Sequence, residues 1–111
     1  MTKQHFPIRA ADRRVFDAIK DGTKSVETRA GSPRYENIKA GDSALFDCGG
    51  EHLTKKIGAV RRFTSVTAML KKYEVKEIAP WCENKDELVK MYHRFYHGAI
   101  EKHGLIAMEL Q

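Results

Sequence analysis

Gly22-Thr23-Lys24-Ser25-Val26-Glu27-Thr28-Arg29 is the stretch on which the reading of this chain turns. It packs a lysine, a glutamate and an arginine into six residues, directly behind an amphipathic pattern. Upstream, Ala11, Val15, Ala18 and Ile19 recur at helical spacing, and Gly22 supplies a C-terminal stop. This predicts a helix over residues 12–21, with Asp12 as its N-cap or as a first-turn carboxylate. From Ser25 to Ala30, Val and Thr alternate with polar residues, which predicts a strand. A period of two places Val26, Thr28 and Ala30 on one face and Ser25, Glu27 and Arg29 on the other. Strict alternation would put Lys24 opposite Glu27. Lys24 joins the second face only if it belongs to the turn after Gly22, whose glycine permits an irregular entry.

The remaining elements follow outward from this stretch. Residues 5–9 read as a short strand, with Pro7 suited to an edge or a strand start. Residues 33–38 suggest a single helical or 3₁₀ turn. Residues 43–47 and 53–63 read as strands joined through Cys48-Gly49-Gly50-Glu51, and the second slips its alternation near Gly58, which predicts a bulge. Thr64-Ser65 offers an N-cap to a short helix carrying Val66, Met69 and Leu70, and residues 74–78 suggest another turn. Leu88, Met91, Tyr92, Phe95 and Ala99 mark a helix that opens near Asn84 or Asp86, with His97-Gly98 as a possible interruption. After Gly104, residues 105–110 form a near-continuous apolar run, the mark of a strand buried on both faces. The pattern predicts one α+β domain over residues 1–111.

Composition narrows the class. The chain has 111 residues, 41% of them hydrophobic, with a formal net charge of +5 and a pI near 9.3. A basic balance favours anionic partners, nucleic acid first. No run approaches the roughly 18 apolar residues of a membrane span, and no apolar leader follows Met1, so the expectation is a cytoplasmic protein without membrane partners. Cys48 and Cys82 form no CxxC pair and are expected to be free thiols. His93 and His97 stand four apart but have no third ligand and no HExxH glutamate, so neither a metal nor a cofactor is expected.

Gly22-x-Lys24-x-x-Glu27-x-Arg29, followed by Tyr35-x-x-Ile38-x-x-Gly41-Asp42, resembles the ASCH domain family of the PUA-like superfamily. The likeness continues through Phe63-Thr64-Ser65, Ile78-Ala79-Pro80, Tyr92-x-x-Phe95-Tyr96 and Gly104-Leu105-Ile106-Ala107-Met108, so it runs nearly the length of the chain. The resemblance implies a partly open β-barrel of five to six mixed strands with helices packed at its ends. It also implies a cleft over the motif that holds RNA, a nucleoside or a nucleotide. Similar proteins include amidohydrolases of N4-acetylcytidine and ribonucleases. In those amidohydrolases the lysine matched by Lys24 acts with a threonine three residues on, where this chain carries Glu27.

Three functions are weighed on these grounds. The first is an RNA- or nucleotide-binding module with Lys24, Ser25, Glu27, Arg29, Tyr35 and Trp81 as its ligand-binding residues. Here Arg29 grips a phosphate or carboxylate by two parallel hydrogen bonds. Glu27 either accepts from a cytosine amino group or holds its basic neighbours. Trp81, the sole tryptophan, either stacks a base or caps the core. The second is a small hydrolase with Lys24 and Glu27 as catalytic residues. The third is a protein-interaction domain, suggested by how evenly the other charges are spread. Tyr92, Phe95 and Tyr96 read as a core stripe, and Arg13-Arg14 and Lys71-Lys72 as solvated helix faces.

Overall fold

In the computed structural model, which describes residues 2–111, the chain is an α+β fold built on five strands. These are β1 (Lys3–Pro7), β2 (Val26–Ala30), β3 (Ser43–Cys48), β4 (Glu51–Phe63) and β5 (Leu105–Leu110). They lie in the order β1-β3-β4-β5-β2, with β1 parallel to β3 and the other neighbours antiparallel. The sheet curls strongly into a half-barrel that stays open between its edge strands, β1 and β2. Their side chains nonetheless meet across the gap, where the Arg29 guanidinium lies 5.1 Å from the centre of the Phe6 ring.

Local chemistry accounts for most element ends. Helix α1 (Arg13–Asp21) stops at Gly22, whose φ of 86° is the left-handed conformation that glycine accepts without strain. Gly49 and Gly50 both have positive φ, as a two-residue hairpin loop requires, and they set the pairing of Cys48 with Glu51. The slip in β4 is a bulge, with the register against β5 shifting between Ile57 and Val60. Ser65 caps α2 (Val66–Met69) and Asn84 caps α4 (Lys85–Tyr96), each by accepting a backbone N–H through its side chain. Between these helices lies α3 (Val75–Ile78). His97 and Gly98, at φ 47° and 94°, break the chain between α4 and α5 (Ala99–His103). Asp12 takes the expected N-cap position without the capping bond. It stands behind a 3₁₀ turn over Ala10–Asp12, and its carboxylate pairs with Arg9 instead.

Strand β5 explains its own apolar run. Leu105 and Ala107 pack outward with Met69, Leu88, Met91, Tyr92 and Ile100, whereas Ile106 and Met108 pack inside the curl with Phe6, Phe16, Ile19 and Phe46. Two apolar layers thus share one central strand. Cys48 and Cys82 are free and buried. Among the described residues no helix is long and apolar enough to cross a membrane.

The return from α5 into β5 is tight. A Cβ added at Gly104, where φ is 71°, would lie 2.5 Å from the Phe63 carbonyl oxygen, whereas one at Gly49 would meet nothing within 4 Å. Gly49→Ala should therefore lower stability by about 1–2 kcal/mol, the ordinary cost of a left-handed non-glycine residue. Gly104→Ala should lower it by clearly more. Urea denaturation of the two variants measures the difference, and equal losses would contradict the close approach.

Candidate functional site

The open seam of the half-barrel holds a cavity of about 170 Å³. That is several times the roughly 30 Å³ a water molecule occupies in the liquid, and short of the ~300 Å³ at which clefts for drug-sized ligands begin. It suits one ring-sized group. The end of β1 and the start of α1 give it Pro7, Ile8, Arg9, Asp12 and Val15. Strand β2 and its entry give Lys24, Glu27, Thr28 and Arg29, and Trp81 closes it with Met91, Tyr92, Phe95 and Tyr96 of α4.

Lys24 reaches this place because β2 begins at Val26, so Lys24 still belongs to the turn behind Gly22. That turn is fixed by the Thr23 N–H donating to Asp21 Oδ1 and the Lys24 N–H donating to the Ala18 carbonyl. The Lys24 side chain is 3% exposed and its Nζ donates to the carbonyls of Val26 (2.7 Å) and Ile78, with Glu27 Oε1 at 3.4 Å. Three acceptors thus face the three hydrogens of the ammonium. Glu27 and Arg29 share the concave face of β2, as strand alternation requires, and Arg29 Nε and Nη2 both donate to Glu27 Oε2. Lys24, Glu27 and Arg29 therefore form one buried chain of alternating charge.

This chain also solves a problem of the edge. Backbone groups of β2 that face away from β5 have no strand neighbour, and unmet polar groups in a buried place are costly. Lys24 satisfies the Val26 carbonyl, Glu27 Oε1 accepts the Thr28 N–H at 2.9 Å, and the Tyr96 hydroxyl donates to the Thr28 carbonyl at 3.2 Å. The Thr28 and Tyr92 hydroxyls pair at 2.6 Å. Burial raises the pKa of both Tyr92 and Tyr96, which keeps these hydroxyls protonated.

The electrostatics follow from burial and proximity. Desolvation pulls the Lys24 amine below its usual value, and the neighbouring Glu27 only partly offsets this. For Glu27, burial alone would raise the carboxyl, but Lys24 and Arg29 outweigh it and the net shift is downward. For Arg29, burial alone would lower the value, but Glu27 together with Tyr96 and Tyr35 outweighs it and the net shift is upward.

Of the residues expected from sequence, the cavity gathers Lys24, Glu27, Arg29 and Trp81. Two do not line it. Ser25 lies at the strand entry, where its N–H donates to the Glu77 carbonyl and its carbonyl accepts from Leu110. Tyr35 is buried inside the curl, stacked on Phe6 at 5.7 Å. Thr28 points toward α4 as alternation predicts, yet it still borders the cavity, because β2 is an edge and both its faces reach the seam. The aromatic stripe of α4 is core on one flank, while Phe95 and Tyr96 present the other flank to the cavity. Arg9 and Arg14 lie outside the set of residues that the sequence points to. Arg9 lies over the Phe95 ring at 5.9 Å and Arg14 over the Trp81 ring at 5.0 Å, contacts that no local pattern signals. Arg13, in contrast, pairs with Glu51 on the surface. Among the described residues, Trp81 Nε1 is a buried polar atom without a partner, and no cluster of metal-ligating side chains occurs.

A curled α+β half-barrel with a charged, aromatic-walled cavity at its seam is thus the class of structure in hand. No protein-family model and no curated protein matches the chain. Its fold is similar to the crystal structure of hypothetical protein PH0355, with a TM-score of 0.86 and 29% identity over 99% of this chain and 98% of that one. It is also similar to the solution NMR structure of protein PF0455 from Pyrococcus furiosus, with a TM-score of 0.77 and 26% identity over 99% and 96% of the two chains.

Removing one member of a buried ion chain leaves its partner uncompensated, so Lys24→Met should cost about 3–5 kcal/mol in chemical denaturation. A small loss would show the pairing to be dispensable. Glu27 adds a pH signature. Its carboxyl lies below the ordinary value of 4.5 in the folded state, so its stabilisation is full above that pH and is lost as pH falls through the folded value. The stability gap between wild type and Glu27→Gln should therefore narrow below about pH 4.5. A gap independent of pH would contradict an ionised Glu27.

Proposed function

We propose that this chain is an ASCH-type, PUA-like module that binds RNA or a nucleotide, with a base entering the seam cavity. The observation that carries this reading is the meeting, in one ring-sized cavity, of the buried Lys24–Glu27–Arg29 chain with the aromatic wall of Trp81, Phe95 and Tyr96. Aromatic faces accept a base by stacking, worth about 1–3 kcal/mol per base. Arginines seated on rings beside the cavity, Arg9 on Phe95 and Arg14 on Trp81, are placed to meet phosphates outside it. Net positive charge of the whole chain supports the same polarity of ligand.

The hydrolase reading draws less support. Lys24 has an acceptor for each ammonium hydrogen and so offers no lone pair while charged, and Glu27 has both oxygens occupied by Thr28, Lys24 and Arg29. Both residues act as positioning groups for Arg29 and the strand edge.

Trp81 is the sole tryptophan and borders the cavity, so its emission reports occupancy directly. Titration with single-stranded RNA oligonucleotides at low salt should change that emission, with an affinity that falls steeply as salt rises. Arg29→Ala, with its circular dichroism unchanged, should weaken binding about tenfold or more. Unchanged emission and unchanged amide resonances from Lys24 to Arg29, for every oligonucleotide and mononucleotide tried, would sink the proposal.

A further inference from the structure

The donors and acceptors left free in the cavity narrow the ligand further. Glu27 Oε1 takes the Thr28 N–H and faces Lys24, and its Oε2 takes two bonds from Arg29. The carboxylate at the cavity floor therefore has no oxygen to spare for a ligand's amino group. The other carboxylate, Asp12, pairs with Arg9 through Oδ2 on the opposite wall, away from Arg29. Tyr96 donates its hydrogen to the Thr28 carbonyl.

Arg29 has one face of its guanidinium over Phe6 and is hydrogen-bonded along one side only. Its Nε and Nη2 face Glu27, and among the described residues Nη1 has no partner. A guanidinium held by its Nε–Nη2 side keeps its end free, where Nη1 and the second Nη2 hydrogen form two parallel donors. The side chain is 15% exposed, through the cavity it lines. Glu27 locks the guanidinium plane, so the fork is pre-oriented rather than searching.

From this geometry we infer that the site is selective for a planar ring edge bearing two adjacent hydrogen-bond acceptors, and, given the nucleotide reading on which this rests, that its base is guanine. Guanine presents O6 and N7 side by side to an arginine fork, whereas adenine places an amino group beside N7. At the Arg29 fork that amino group would set donor against donor, and the Glu27 oxygens beside the fork are taken. Stacking on Trp81, Phe95 and Tyr96 supplies base-independent affinity, and the Arg29 fork supplies the choice.

The test is an amide-resonance titration of the intact protein with GMP, IMP, AMP, UMP, CMP and 7-deaza-GMP, with inorganic phosphate alone as a further arm. GMP and IMP, which share O6 and N7, should bind about tenfold or more tightly than AMP, and 7-deaza-GMP should lose that advantage. Arg29→Lys keeps the charge and a partner for Glu27 but lacks the fork. It should remove the discrimination while the amide spectrum stays dispersed. Equal binding of all the nucleotides would overturn the guanine assignment and leave nucleotide binding standing. A 7-deaza-GMP as tight as GMP, or discrimination retained in Arg29→Lys, would overturn it as well. Phosphate alone reproducing the shifts would overturn it in favour of a simple anion site. Failure of every nucleotide and of RNA oligonucleotides together would remove the underlying reading too.

Discussion

A sheet that curls without closing leaves an edge strand inside the molecule, and the rest of this structure depends on how that edge is satisfied. The outward backbone groups of β2 are flanked by α3 and by Tyr92 and Tyr96 of α4, and no sixth strand meets them among the described residues. Three side chains take the place of a strand: Lys24, Glu27 and Tyr96. Once these are buried their charges must be balanced among themselves, which the order Lys24–Glu27–Arg29 achieves along a single line. The ionic chain that would look extravagant on an exposed strand is the local consequence of an incomplete barrel. The cavity follows from the same incompleteness, since the seam that lacks a strand is where the space lies.

Two levels of design therefore coincide at the seam. Lys24 and Glu27 support backbone and charge, and they leave Arg29 as the member of the chain with donors still free. This separates the residues that hold the edge from the one whose donors are left over. It also accounts for a glutamate at position 27. A carboxylate there anchors two cations and a backbone amide at once, which a hydroxyl cannot do.

Much of the fold was legible because its signals are local. Gly22, Ser65 and Asn84 end or begin helices by the chemistry of their own positions. The apolar run of β5 announced a strand covered on both faces, and the slip near Gly58 announced the bulge. The lining of the candidate site was legible where period decides it, at Glu27 and Arg29. Elsewhere it was not. Whether Lys24 joins them depends on one residue of strand register, which the turn behind Gly22 settles only in three dimensions. Ser25 has the right period but is held at the strand entry by Glu77 and Leu110. Tyr35 has the right motif but packs on Phe6. Arg9 and Arg14 owe their places to rings far along the chain, on α4 and beside Pro80, so no local signal could mark them.

The strand order has a consequence in time as well as in space. Strand β2 has a single neighbour in the sheet, β5, so Ala30 waits for Leu105 and Val26 for Glu109 before either has a strand partner. Strands β3 and β4, in contrast, are joined by a two-residue turn and can pair as soon as they exist. The motif that defines the seam is therefore made early in the chain and shaped late. On a ribosome, the charged entry to β2 must remain outside any finished sheet until the strand encoded by residues 105–110 has emerged.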